Sequence, residues 1–549
     1  MMAEKGKYTE TFYTGADYGF NSDLGKEYSI GFSPSYSPGA SEFGLSTDPR
    51  SANQINEVSK KLNTGTKLIE VEGLQSATLE NIPKQHFAEI NRLRKLTGVD
   101  LTFHGPLVEP TGVTTQGWNE THREQAERQM WHAVERAHGL NPDGNVLVTF
   151  HSSNGLPDPV TKVMTEVVDP ETGEKKMKEV IKGFWVVDQA TGRFEPLTPK
   201  PDYFKSKEKV WGSSIEAQEK ALMDVIEKQS KDVWFRQLQG VAYHANNGAN
   251  IVNEVLTGKE SGEKEKGKIT EKEKLEFYKN YLAGGDAMQA VGADKGMSKE
   301  IMVHQMQALS HGDIYLRDAY QDLQTLFNQA YEAAKKNNSQ DDLKKLDVFR
   351  NEIKSKVKDI EDPLKMEEFA NTIMRGVNVL NTISPPQSLR PLREFGIEQS
   401  SETFSNLALS SYKNFGDTAP IISIENPPAG TGLARAEDLR DIINKSRKML
   451  QEKLMREENL SSGAAEKQAE KLIGATWDVG HINMIRKYGY EEKDVVKDTE
   501  KIAKYVNKVH LSDNFGMEHT ELPMGMGNVP TKPMLEAIEK YNKQVKKII

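Results

Sequence analysis

Apolar positions along this chain follow two periods, and the boundary between them organises the molecule. In the first 150 or so residues, short apolar runs alternate with segments whose apolar residues recur every three or four positions. Tyr28–Phe32 (YSIGF) reads as a first strand, followed by a Pro/Ser/Gly loop over 33–44 (SPSYSPGASEFG). Ala52–Leu62 has helical spacing through Ile55, Val58 and Leu62, Leu68–Glu72 (LIEVE) reads as a second strand, and Phe87–Leu96 as a second helix. Val99–His104 (VDLTFH) is a third strand. Glu120–Ala137 is a helix with i,i+4 charge pairs such as Glu124 with Arg128, and Asn145–His151 (NVLVTFH) is a fourth strand. Strands alternating with amphipathic helices predict parallel β/α units.

The alternation breaks after Gly155. Thr161–Pro196 carries strand-like alternation around two Asp-x-x-Thr-Gly turns, DPETGEK and DQATGRF, which predicts β-hairpins. From Ser214 to Asn381 the pattern is helical and heavily charged, clearest over Ala217–Gln229, Glu271–Leu282, Ile301–Leu309 and Ile314–Lys336. The charged run Lys259–Lys268 reads as a solvated loop. After a Pro- and Arg-bearing linker (SPPQSLRPLREFG) the β/α rhythm returns. Helices are predicted at Glu402–Phe415, Ala436–Glu457, Ala464–Lys471 and Asp494–Tyr505, and strands at Ile421–Asn426, Ile473–Asp478 and Tyr505–Ser512. One more helix, Pro533–Tyr541, precedes Val545–Ile549, which is strand-like but stops where an eighth strand would only be starting.

These elements predict an α/β fold, a TIM (β/α)8-like barrel lacking a complete eighth unit, with a large and mostly helical insertion after the fourth strand. The expected division is an N-terminal arm over 1–27, a first barrel half over 28–155, an insertion lobe over 156–397 and a second barrel half over 398–549. Loops that follow barrel strands emerge on the catalytic rim, so the lobe is expected to act there as a lid or as a docking surface for a protein partner.

Composition narrows the class. The 549 residues are 36% hydrophobic and 28% charged, enough apolar material for a sizeable core. No apolar run reaches transmembrane length, so no membrane partner is expected. The first residues lack the apolar core of a secretory signal, which makes the cytoplasm the expected location. With no cysteine, disulfides, thiolate ligands and a cysteine nucleophile are excluded. A formal net charge of −9 argues against bulk electrostatic capture of nucleic acid but leaves a local basic groove possible.

The candidate chemistry sits at the strand ends. Five consecutive predicted strands finish in His104, His151, Glu425, Asp478 and His510, and His481 follows Asp478 by three positions. The loop after His510 adds Asp513, His519 and Glu521 before a Gly525-x-Gly527 turn. Parallel barrel strands deliver their C-terminal ends to one rim, so these side chains are expected to converge. Mixed imidazole and carboxylate donors suit Zn²⁺, Mn²⁺ or a similar divalent ion and leave room for water or substrate.

The pieces FHGP at 103–106, FHSSNG at 150–155, IENPPAGTG at 424–432, WDVGH at 477–481 and HLSDNFG…H…G-x-G-N at 510–528 resemble, in this order, the xylose isomerase-like TIM-barrel superfamily. That superfamily includes endonuclease IV and the sugar-phosphate isomerases and epimerases. The endonuclease IV resemblance implies one to three metal ions. His104 and His151 would hold one, Glu425 would bridge to a second completed by Asp478 and His510, and His481 would join His519 in a third. The usual Asp-x-His pair stands here as His519-Thr-Glu521, and the eighth-strand glutamate expected on the second ion is missing. The isomerase resemblance implies instead a single ion on Glu425, Asp478 and His510, with His481 orienting a sugar or sugar phosphate. Three readings follow: phosphodiester hydrolysis on nucleic acid, sugar isomerisation or epimerisation through an enediolate, and a barrel retained as a scaffold. In the enzymatic readings Glu425, His481 and Glu521 are the expected catalytic residues. The short eighth strand further predicts an open barrel edge awaiting a partner segment.

Overall fold

A computed structural model of the protein describes residues 42–168, 175–189, 191–197, 214–257, 270–283, 299–356 and 365–549. The expected arm (1–27), the YSIGF strand and the Lys259–Lys268 run lie outside these residues. The strands are β1 (Phe43–Ser46), β2 (Leu68–Glu72), β3 (Asp100–His104), β4 (Leu147–His151), β5 (Ile421–Glu425), β6 (Ile473–Asp478), β7 (Val506–His510) and β8 (Lys546–Ile548). They form a closed barrel in sequential order, each strand parallel to both neighbours.

Two expectations are corrected at the seam. The first barrel strand is Phe43–Ser46, drawn from the end of the stretch read as a loop. The eighth strand is not a frayed stub: Phe43 is in register with Lys547, Gly44 with Ile548, and His510 with Ile548, so the barrel closes. A Cβ on Gly44 would lie 2.6 Å from side-chain atoms of both Ile548 and Leu68, so glycine lets β1 fit between β8 and β2. The buried Lys547 is no surface charge; it pairs with Glu42 at 3.1 Å and Glu539 at 2.8 Å and pins β8 from outside.

Between strands run the covering helices, among them Gln54–Leu62, Lys84–Thr97, Glu120–His138, Leu392–Phe415, Ala436–Glu457, Glu492–Ile502 and Thr531–Glu539. Their apolar faces and the outward side chains of the strands share one core, in which Ile69, Phe103, Phe150, Ile424, Trp477 and Val509 are buried. Leu392–Phe415 starts ten residues earlier than its sequence pattern, because Leu392 and Phe395 in the supposed linker, and Ile397 just after it, are core residues.

The chain divides into two compact units, one reaching to Leu222 and resuming at Arg390, the other Met223–Leu389. The insertion expected as one lobe over 156–397 is therefore split. The hairpin of Val160–Val168 with Lys175–Asp188, to which Phe194–Pro196 adds, falls in the barrel unit, and its Val187 is part of the barrel core. The second unit has a core of its own, with Trp234, Leu238, Leu316, Leu323, Phe349 and Ile373 buried in it. Its Lys299–Lys336 helix is continuous where the sequence suggested two. A Cβ on Gly248 would meet the Gly312 carbonyl at 2.9 Å, so two helices of this unit pack backbone to backbone there. Among the described residues no helix is long and apolar enough to cross a membrane.

Candidate metal centre

The strand ends meet in pairs. Register places Glu72 beside His104, His151 beside Glu425, and Asp478 beside His510, and in a parallel ladder such neighbours face the same side. All six line one cavity of about 500 Å³, together with His481, His519 and Glu521. The expected site residues are thus brought to one place, with Glu521 its most exposed member: its side chain is 75% exposed and lies 3.8 Å from His519.

Glu425 is the hub. Its Oε1 is 2.6 Å from His510 Nδ1, and its Oε2 is 3.0 Å from His104 Nε2 and 3.4 Å from His151 Nε2. Possible ligand atoms of His104, Glu425 and His510 all lie within 4.8 Å of one another, as do those of His151, Glu425 and His481. Ligands 2.0–2.3 Å from one ion can be at most about 4.6 Å apart, so both groups are near the spacing that a divalent ion needs. The hydrogen bonds behind the imidazoles fit too. His104 Nδ1 is 2.9 Å from the Gly105 carbonyl and His481 Nδ1 is 2.8 Å from the Asn426 carbonyl. A carbonyl only accepts, so each Nδ1 carries a proton and each Nε2 is the ring nitrogen that faces the cavity. By mutual distance His104 groups with His510, where the resemblance pairs it with His151, although Glu425 Oε2 is close to both His104 and His151.

Loop geometry holds this arrangement. Glu109 accepts from the Ser153 hydroxyl at 2.8 Å and from the amides of Asn154 and Leu156, fixing the turn after His151. Asn426 donates to the Asp478 carbonyl and accepts from its amide, tying the β5 end to the β6 end. Asp478 Oδ1 accepts the His481 amide at 2.8 Å, so this carboxylate caps the short helix that presents His481. Asp513 is buried and accepts the amides of Asn514, Gly525, Gly527 and Val529, which makes it the organiser of the rim loop. That loop carries His519, whose Nε2 is 2.9 Å from His481 Nε2.

Burial and charge sort the protons. Burial alone would raise the Glu425 carboxyl, but His510, His104 and His151 outweigh it and hold the group well below its ordinary value. Burial would lower His510, yet Glu425 and Glu70 hold its proton well above the ordinary range. His151 is pushed down to about 3 by burial, with the neighbouring His481 and His104 adding to the effect. Burial, and then His481, lowers His519 as well. His151 and His519 therefore stay neutral near neutral pH, the form in which an imidazole can bind a metal ion.

Three buried groups here were not among the expected site residues. Glu70 accepts from His510 Nε2 at 2.8 Å and is bonded to Lys508 and the Thr102 hydroxyl. Lys508 and Glu70 are both fully buried in the barrel interior. Glu72 completes the set, and burial pushes its carboxyl up to about 7, with His104 opposing and Glu70 adding. The signal was present in LIEVE: two glutamates two residues apart in an otherwise apolar strand share one face.

No family model, curated protein or solved structure matches the chain.

Proposed function

We propose that this protein is a divalent-metal-dependent hydrolase of phosphodiesters, using Zn²⁺ or Mn²⁺ in the manner of endonuclease IV-like barrels. The observation that carries this reading is Glu425, one oxygen of which faces His510 while the other faces both His104 and His151, an arrangement that suits a carboxylate shared between two ions. His104 and His510 would hold one ion with Glu425, and His151 and His481 the other. Bound ions would act as Lewis acids on a phosphoryl oxygen and make water nucleophilic near neutral pH. The chain's own part is to fix the geometry. Asp478 sets the His481 helix turn, and Asp513 sets the loop that brings His519 and the exposed Glu521 to the mouth of the cavity, where the substrate would enter. The test is cleavage of an oligonucleotide containing an abasic site by the Zn²⁺- or Mn²⁺-loaded protein, with Glu425→Gln as control. Metal-dependent cleavage lost in the variant supports the reading; no cleavage with either ion counts against it.

The cavity favours one second reading. Its volume of about 500 Å³ suits a monosaccharide, and its wall joins carboxylates and imidazoles to apolar side chains such as Leu74, Leu107 and Leu522. Such a wall matches the hydroxyls of a neutral sugar better than a polyanion. Aldose–ketose interconversion or epimerisation without diester cleavage would establish it.

A further inference from the structure

One carboxylate in the cavity has an oxygen to spare. Glu72 is only 7% exposed, and its Oε2 is buried without a hydrogen-bond partner. A buried polar atom left unpaired is costly, the more so if charged, so such an atom usually marks a missing partner. The origin of the surplus lies in the fold. Residues 70 and 72 of β2 face the barrel interior together, in register with Thr102 and His104 on β3. Glu70, one layer down, is taken up by Lys508, Thr102 and His510. Glu72 sits in the layer of His104, and the Thr47 hydroxyl accepts its backbone amide at 2.9 Å, which fixes the strand end. The same layer of β8 offers Ile548, which lines the cavity without a donor atom.

The cluster His104, Glu425 and His510 has two imidazoles and one carboxylate, one ligand short of a four-coordinate set. A second carboxylate would also balance the charge of a divalent cation. We infer that Glu72 is a metal ligand, its free Oε2 joining His104, Glu425 and His510 around one ion. This rests on the metal-dependent reading above and sharpens it. The position next to Glu72 becomes a closed, four-ligand one, while the His151–Glu425–His481 position keeps an open side for substrate.

Co²⁺ is the probe, because its visible absorption reports ligand number and type. Wild-type protein, Glu72→Gln and Glu425→Gln are stripped with chelator and titrated with Co²⁺, by calorimetry and by absorption. Removing an outer-shell partner costs roughly 10–100-fold in metal affinity, so loss of a ligand is expected to weaken one site by about 100-fold or more. The Glu72→Gln spectrum is also expected to differ from wild type. The chelator-treated Glu72→Gln protein is expected to melt at or above the wild-type temperature, since an unpaired buried carboxyl has been neutralised without a change of shape. If wild type binds Co²⁺ and Glu72→Gln gives the same spectrum and affinity, while Glu425→Gln does not, Glu72 is no ligand and the metal reading stands. A lower melting point for chelator-treated Glu72→Gln would assign Glu72 a structural role and overturn the inference. If wild type binds no Co²⁺, both readings fall.

Discussion

Glu425 Oε1 and His510 Nδ1 lie 2.6 Å apart, although 85 positions of chain separate the two residues. They stand on β5 and β7, with β6 between, so only barrel curvature brings them together. His510 continues the line to Glu70 on β2 at 2.8 Å, so one imidazole links carboxylates on opposite sides of the interior, and they raise its pKa above the ordinary value.

Lys508 and Glu70 make a fully buried pair beneath this line. Removing one partner of a buried pair strands the other charge, at a cost of about 3–5 kcal/mol. Lys508→Met is expected to lose stability on that scale in urea unfolding followed on the barrel. Glu70→Gln/Lys508→Met is expected to recover part of the loss. A double variant no more stable than the single one would show that the pair is not the source of the effect.

The rim loop depends on Asp513. Its oxygens take four backbone amides, and a Cβ on Gly527 would come within 2.3 Å of its Oδ1. Hydrogen bonds to a charged group contribute about 1.5–3 kcal/mol each, so Asp513→Ala should release the loop without unfolding the barrel. Hydrogen exchange should show the amides of Gly525, Gly527 and Val529 exchanging faster by at least tenfold (about 1.4 kcal/mol), while strand amides such as that of Val509 keep their protection. Equal acceleration throughout the barrel would contradict a local role.

Arg435 and Asp498 give a pH signature. Asp498 accepts from the Arg435 guanidinium at 3.0 Å and from Lys501 at 3.0 Å. Burial alone would raise its pKa, but the two cations outweigh burial and lower it. A carboxyl depressed in the folded state stabilises fully above its unfolded value of about 3.9. That stabilisation is lost as pH falls through the lower folded value. Asp498→Asn is therefore expected to be less stable than wild type at pH 7, by about 1.5–3 kcal/mol. The difference should narrow below pH 4. A difference that widens on acidification would reverse the assignment.

Much of the barrel could be read directly, and the exceptions have physical causes. VDLTFH, NVLVTFH and IGATWD are apolar runs fixed by their own composition, and their final residues were found where expected. The four-residue β1 contains a glycine that only makes sense once Leu68 and Ile548 flank it, a tertiary fact that local pattern does not carry. The final strand reads as a stub because Val545–Ile549 stops where a strand would only be starting, yet three residues, Lys546–Ile548, are enough to pair with both neighbours. Pairing of Lys547 with Glu42 and Glu539 is what allows that lysine to be buried on the outer face of the strand. Glu70 and Glu72 were overlooked because glutamates in a strand suggest a solvated face, whereas here that face is the barrel interior. Asp513 resembled a ligand by its neighbourhood, but its oxygens are committed to backbone amides.

Metal content of the purified protein, before and after substitution of Glu425, tests the central claim most directly. After dialysis against Zn²⁺ or Mn²⁺ and removal of excess ion, elemental analysis should find two ions per wild-type chain. Glu425→Gln, which keeps the side-chain shape but not the shared charge, should retain fewer than one. A wild-type chain that retains no ion, or a Glu425→Gln chain that retains as many as wild type, would contradict a centre organised on Glu425.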